Sequence, residues 1–283
     1  MNETCKIWGK LLVVALLLMA LPCSVLAQNP LRKHWNKLDK SMLVWGSFTV
    51  PSSIRTQDAN NAKFEIYAKP TIRLWQLGEN TKVVGYALVA ALRDRQKFDY
   101  DSKVKLGFGV EVQHKLSKAV KLAFGARWDS EHQYFSSITY SALIATADLS
   151  VYKSWKPDWL RKGRLSDARL VLSGWANLRY PNALDPSERH NGMVQGSLKL
   201  AVLAPIGKGK LKLAPFVSIL GKADLKGRPW NNTVEPALGI DLKIPLGKRG
   251  ELSVGVKSAL QLRHTNGEVQ GGALGYLSWY KHF

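Results

Sequence analysis

The chain has 283 residues, with 41 Lys and Arg against 21 Asp and Glu, a net charge of +20, and two cysteines. The length supports a sizeable core, and so few thiols exclude a disulfide-stapled secreted scaffold. A basic excess of this size fits nucleic acid, lipid phosphates or an anionic substrate, and the N-terminus narrows the choice.

Lys6 and Lys10 precede an apolar run from Leu11 to Leu21, and the following stretch to Ala27 ends in small residues, with Val25 and Ala27 at the −3 and −1 positions. The pattern predicts a secretory signal peptide over 1–27. Both cysteines, Cys5 and Cys23, fall inside it, and the remainder keeps 39 Lys and Arg against 20 Asp and Glu. Export removes nucleic acid from the expected partners. Lipid phosphates, an anionic polymer or small anions remain. The six histidines are scattered without a metal-ligand spacing, so no metal and no cofactor is expected.

Residues 28–40 read as a periplasmic N-terminal segment. From residue 41 the chain alternates with period 2, the mark of strands with two different faces. Phe64, Ile66, Ala68 and Ile72 alternate with Glu65, Tyr67, Lys69, Thr71 and Arg73; Val104 to Val112 and Val120 to Trp128 behave alike. Twelve segments follow: 41–50, 63–77, 82–93, 102–115, 119–129, 133–153, 168–180, 192–205, 210–223, 232–245, 251–264 and 268–283. Several outrun the soluble norm of ~5–6 residues and reach the ~9–11 that a tilted strand needs to cross a bilayer. Short connections (78–81, 116–118, 207–210, 247–250) tend to alternate with longer polar ones (51–62, 94–101, 181–191, 224–231), as in bacterial outer-membrane barrels. The expected fold is therefore all-β: a transmembrane, antiparallel, up-and-down β-barrel of about twelve strands over 41–283, in the bacterial outer membrane.

Two features stand against a plain barrel. The stretch 153–168 is too long for a periplasmic turn and reads as a short amphipathic helix or a flap. Pro70, Pro215 and Pro236 sit inside predicted strands, where each removes a ladder hydrogen bond. The chain ends on Phe283, at the end of an alternating aromatic strand. Barrel closure accounts for that end, since the last strand pairs with the first and leaves no edge. A terminal Phe also resembles the signal that such barrels offer to their insertion machinery, although Lys281 stands where that signal takes an apolar residue. Trp45, Trp75, Trp128, Trp155, Trp159, Trp230, Trp279 and Tyr280 are expected in interfacial girdles beside lipid and lipopolysaccharide. A lumenal aromatic such as Trp175 or Tyr67 has a face that suits a sugar, with a girdle or packing role as the commoner alternative.

The polar faces of these strands carry sixteen Lys and Arg against seven Asp and Glu. A lumen with that excess attracts anions, because low-dielectric walls focus the field. Lys69, Arg73, Lys105, Arg127, Lys199 and Lys257 are the expected pore-lining residues. Catalysis has one candidate stretch, Ser187-Glu188-Arg189-His190-Asn191-Gly192. The outer-membrane phospholipase family carries His-x-Ser-Asn-Gly, but here Asn191 and Gly192 follow His190 directly. No nucleophile and base are paired by spacing, so an enzyme is not expected.

Residues 190–283 read as strand, polar loop with Trp230-Asn231-Asn232, strand, short turn, strand, tight turn and terminal strand. This order resembles the C-terminal barrel of bacteriophage-adsorption protein A and of related exopolysaccharide-export proteins. The resemblance implies export of a secreted polysaccharide, with a separate chain supplying the periplasmic helical repeats that this one lacks. The expected function is passage of an anionic polymer, an acidic exopolysaccharide, over many weak contacts to lumenal Lys and Arg. The alternatives are a small anion-selective or general porin, and a barrel enzyme acting on membrane lipids.

Overall fold

The computed structural model describes residues 39–55, 58–98, 101–160, 166–207 and 210–283; the expected signal peptide and all but the end of the 28–40 segment lie outside them. The strands are β1 (Lys40–Val50), β2 (Lys63–Gln76), β3 (Thr81–Asp94), β4 (Lys103–Lys115), β5 (Val120–Gln133) and β6 (Thr139–Trp155). They continue as β7 (Arg169–Tyr180), β8 (Met193–Pro205), β9 (Lys212–Asp224), β10 (Thr233–Pro245), β11 (Gly250–Arg263) and β12 (Val269–His282). Each pairs antiparallel with its sequence neighbour, and β1 pairs with β12, so the sheet closes.

Closure explains the aromatic C-terminus. Gly46 lies opposite Trp279 and Phe48 opposite Leu277. Met42 and Phe283 exchange backbone hydrogen bonds of 3.4 and 2.9 Å. The last residue is thus paired in its backbone while its ring stays exposed. A side chain at Gly46 would run into the Trp279 ring, which lies flat over the seam.

One strand parity faces outward and is apolar. Phe108, Leu143, Leu238 and Val256 are 57 to 67 % exposed, on a belt that suits hydrocarbon rather than water. A closed barrel satisfies its own backbone hydrogen bonds, which is the condition for a sheet to cross a bilayer. The protein is a closed, twelve-stranded antiparallel barrel with an apolar outer face, the build of a membrane-spanning barrel. The other parity faces a lumen filled with polar side chains.

The structure adjusts several expectations. β5 runs on to Gln133, and the turn is 134–138, with Ser137 at φ 56°. Without Gly, Pro or Asn that turn gave no sequence signal, so the expected break at 130–132 was misplaced. The 156–168 connection holds a 3-10 turn, Asp158–Leu160, with Leu160 buried. The bulge in β2 falls at Arg73 and Trp75 rather than at Pro70. Trp45 and Tyr280 leave the girdle for the lumen. They share the parity of Ser47, whose hydroxyl reaches Glu65 inside the barrel, and Trp45 stacks on Tyr67 at 5.8 Å. Trp279 faces outward beside Phe64, with ring centroids 6.1 Å apart.

Candidate functional site: the lumen and its loop-end cavity

Period-2 geometry puts the six expected pore-lining residues on inward positions, and five of them meet carboxylates there. Lys69 Nζ lies 2.8 Å from Glu111 and 4.1 Å from the centre of the Tyr86 ring. Lys105 Nζ is 3.2 Å from Glu131 and Arg127 Nε 2.9 Å from Asp129. Lys199 Nζ is 2.6 Å from Asp241 and 3.6 Å from the centre of the Phe216 ring. Lys257 Nζ is 2.8 Å from Glu235. Arg73, near the end where the short turns lie, donates to Gln76 at 3.2 Å. Burial forces such charges into pairs, since an isolated ion in a low-dielectric wall loses its hydration.

Local neutralisation therefore offsets much of the basic excess. Two inward carboxylates add to the seven counted from sequence. Glu131 faces in because β5 is longer than expected, and Asp148 accepts from Asn177. Their parity was readable only with β5 and β6 correctly bounded.

The end that carries the longer loops opens into a cavity of about 1220 Å³. Its walls come from β1, β2 and β8 to β12, and among its described lining residues none lies on β3 to β7. The β1–β2 loop folds inward over it. Ile54 is buried against Ala237, Ala259 and Leu274, with Tyr276 alongside, and narrows the lumen from within. An isoleucine in a polar loop was the available sign of this inward fold. Lys222 lines the cavity with Lys63, Lys199, Lys257 and Arg55. The last four are paired, to Asp101, Asp241, Glu235 and Asp58.

Two carboxylates knot the loops that surround this mouth. Asp94, at the end of β3, accepts from Asn61 Nδ2, Ser102 Oγ and the Phe98 amide. Asp224, at the end of β9, accepts from Asn191, Asn231, Asn232 and the Arg228 amide. Asn191 is fully buried and also donates to Glu188, which pairs with Arg228. The Trp-Asn-Asn loop and Asn191 of the catalytic candidate are thus parts of one loop clamp. Ser187 and His190 are exposed, and the recorded bonds at Ser187 run from its amide to Asp185 and from Lys226 to its carbonyl. Glu268, in the β11–β12 loop, has its carboxyl held below the usual range by hydrogen bonds from Gln270 and Asn266 and by the Arg263 charge.

No protein-family model and no curated protein sequence matches the chain. Among solved structures, the β domain of the Bordetella autotransporter BrkA aligns at 11 % identity and TM-score 0.46, over 86 % of this chain and 98 % of that one. An outer-membrane channel from Pseudomonas putida F1 aligns at 12 % and 0.43, over 86 % and 95 %. LpxR from Salmonella typhimurium aligns at 8 % and 0.42, over 83 % and 99 %.

Proposed function

We propose that this barrel is an outer-membrane channel for anionic, hydroxyl-rich solutes, acidic saccharides, which it takes up at the loop-end cavity. Lys222 carries the reading. Among the described residues, it is a cavity cation with no carboxylate oxygen within ion-pair distance, and the charges of Lys63 and Arg55 act on it against those of Glu235 and Asp101. A lysine without an ion pair of its own in a low-dielectric wall is the place for an incoming anion. Hydroxyls of Ser47, Thr49, Ser197 and Ser218 line the same space and both donate and accept. Phe216 and Tyr276 supply apolar faces beside them.

An acidic exopolysaccharide, the cargo implied by the sequence resemblance, offers the same carboxylates and hydroxyls along its length. Its passage requires Ile54 to leave the lumenal wall, whereas a small anion needs no such movement. Transport is favoured over lipid chemistry because Ser187 and His190 share no hydrogen bond among the described residues. Lipopolysaccharide around the belt and the barrel insertion machinery are the partners this reading requires.

The test is ion current through the refolded protein in a planar bilayer under a salt gradient. Anion preference that falls in K222E supports the reading. Cation preference in the native protein, or no current from a folded barrel, sinks it.

A further inference from the structure

The register of one half of the barrel returns in the other half, 130 residues on. Lys63 opposite Asp94 recurs as Met193 opposite Asp224. Gly109, between Tyr86 and Arg127, recurs as Gly239, between Phe216 and Lys257. The closing seam does the same: Val50 opposite Gly275 matches Tyr180 opposite Ala145.

An up-and-down barrel makes every strand antiparallel to its neighbours, but it fixes neither loop lengths nor loop hydrogen bonds. Four of the five loop lengths within the unit repeat, and so do loop hydrogen bonds. Asn61 Oδ1 accepts from the Gln96 amide and Asn191 Oδ1 from the Lys226 amide. Asp94 caps the Phe98 amide and Asp224 the Arg228 amide. Left-handed residues recur as Lys97 with Gly227 and Ser137 with Gly267, all at φ between 56° and 68°. Lys69 between Glu111 and the Tyr86 ring recurs as Lys199 between Asp241 and the Phe216 ring. Twelve equivalent positions are identical, among them Trp45 and Trp175, Pro51 and Pro181, and Gly125 and Gly255. The 156–168 connection, too long for a turn, joins the two units.

We propose that the barrel is a tandem duplication of a six-stranded unit, and that the half of its lumen walled by β8 to β12 with β1 and β2 has emptied into a solute-binding site while the half walled by β3 to β7 has stayed filled. Large or buried residues of the filled wall become small at the equivalent cavity positions. Leu88, 2 % exposed, becomes Ser218, and Tyr67 becomes Ser197. At the other border of the filled half the order reverses: Asn177 of β7, 6 % exposed, corresponds to the smaller Ser47 of β1 on the cavity wall. Asp129, fully buried, becomes Ala259, against which Ile54 packs. Lys199 and Phe216 keep the ancestral lysine station, now on the wall of a cavity rather than inside packed side chains. The site takes its ligand class, a hydroxylated anion, from the channel reading above; the emptied wall stands independently of it.

Residues 28–283 contain no cysteine, so single cysteines report single positions. Full-length S218C, S47C, L88C and N177C, each also carrying C5S and C23S, are refolded in detergent, and heat-dependent gel mobility confirms each barrel. A water-soluble methanethiosulfonate reagent is added and labelling is read by mass. S218C and S47C label promptly. L88C and N177C lag by roughly tenfold or more, because a buried thiol is reached only through local opening. Similar rates at all four positions, or faster labelling of the second pair, overturn the proposal. Should L88C or N177C fail to fold, S218L placed in the S47C background restores the first unit's residue. It slows labelling of that thiol several-fold if the cavity is the emptied wall, and an unchanged rate counts against it. Unequal labelling without anion preference keeps the emptied wall and removes the acidic-solute reading; equal labelling with anion preference does the reverse.

Discussion

Replacing Asn191 by Ala tests whether the mouth of the barrel is clamped by side chains. The amide donates to Glu188 at 2.6 Å and Asp224 at 3.0 Å, and accepts from the Lys226 amide at 3.2 Å. Hydrogen bonds to charged groups contribute about 1.5–3 kcal/mol each and neutral ones about 1 kcal/mol. Asp224 keeps Asn231, Asn232 and the Arg228 amide, and Glu188 keeps Arg228, so neither carboxylate is orphaned. Water also enters at the rim. The net loss is about 3 kcal/mol, and about 1.4 kcal/mol corresponds to tenfold, so the open population of the 181–192 loop rises roughly a hundredfold. Limited proteolysis of the folded barrel reads that population when opening is fast relative to cleavage. Cleavage between Tyr180 and Met193 accelerates strongly, while heat-dependent gel mobility is unchanged because the strand ladder is untouched. An N191A barrel cleaved at the native rate would refute the clamp.

Asn61→Ala opens the 51–62 loop in the same assay, since Asn61 holds Asp94 and the Arg95 and Gln96 amides. Ile54→Ala removes most of the side chain packed on Ala237, Ala259 and Leu274, a loss of about 2–4 kcal/mol in a tight site; single-channel conductance rises, and an unchanged conductance denies the loop its place in the lumen. Lys69→Met leaves Glu111 with Gln113 as its remaining recorded partner and destabilises by up to about 3 kcal/mol, less where lumenal water reaches the carboxylate. K69M/E111L restores much of that, and urea midpoints that fall further in the double variant contradict the pairing. Gly125→Val drives its side chain into Val110 O and the Glu111 backbone across the β4–β5 pair; refolding yield drops sharply, whereas a native yield shows that the strands can part there.

Strand content was legible because a membrane barrel writes its two solvents into alternate residues. Phe108 and Val110 of the apolar set face outward while Lys105 and Glu111 face the lumen, so period alone fixed face and fold. Charge pairing was less legible. Lys69 and Glu111 are 42 residues apart, and so are Lys199 and Asp241; such partners meet only once the strands are in register. Counting inward lysines therefore overstated the free positive charge. Trp45 was misassigned because a strand-end tryptophan suits either a girdle or a stacking partner, and only the register with Tyr280 decides. The 130-residue repeat lay in the sequence throughout. Identity at so few positions hides it, because what persists is loop length, capping residues and the parity of each face rather than residue type.

Anion passage past Lys222 is read most directly as the reversal potential across a planar bilayer under a salt gradient, for the native barrel and for K222E. The native protein should give an anion-selective potential and K222E a shift toward cations. Identical potentials in the two proteins, or native cation selectivity, would contradict the proposed channel.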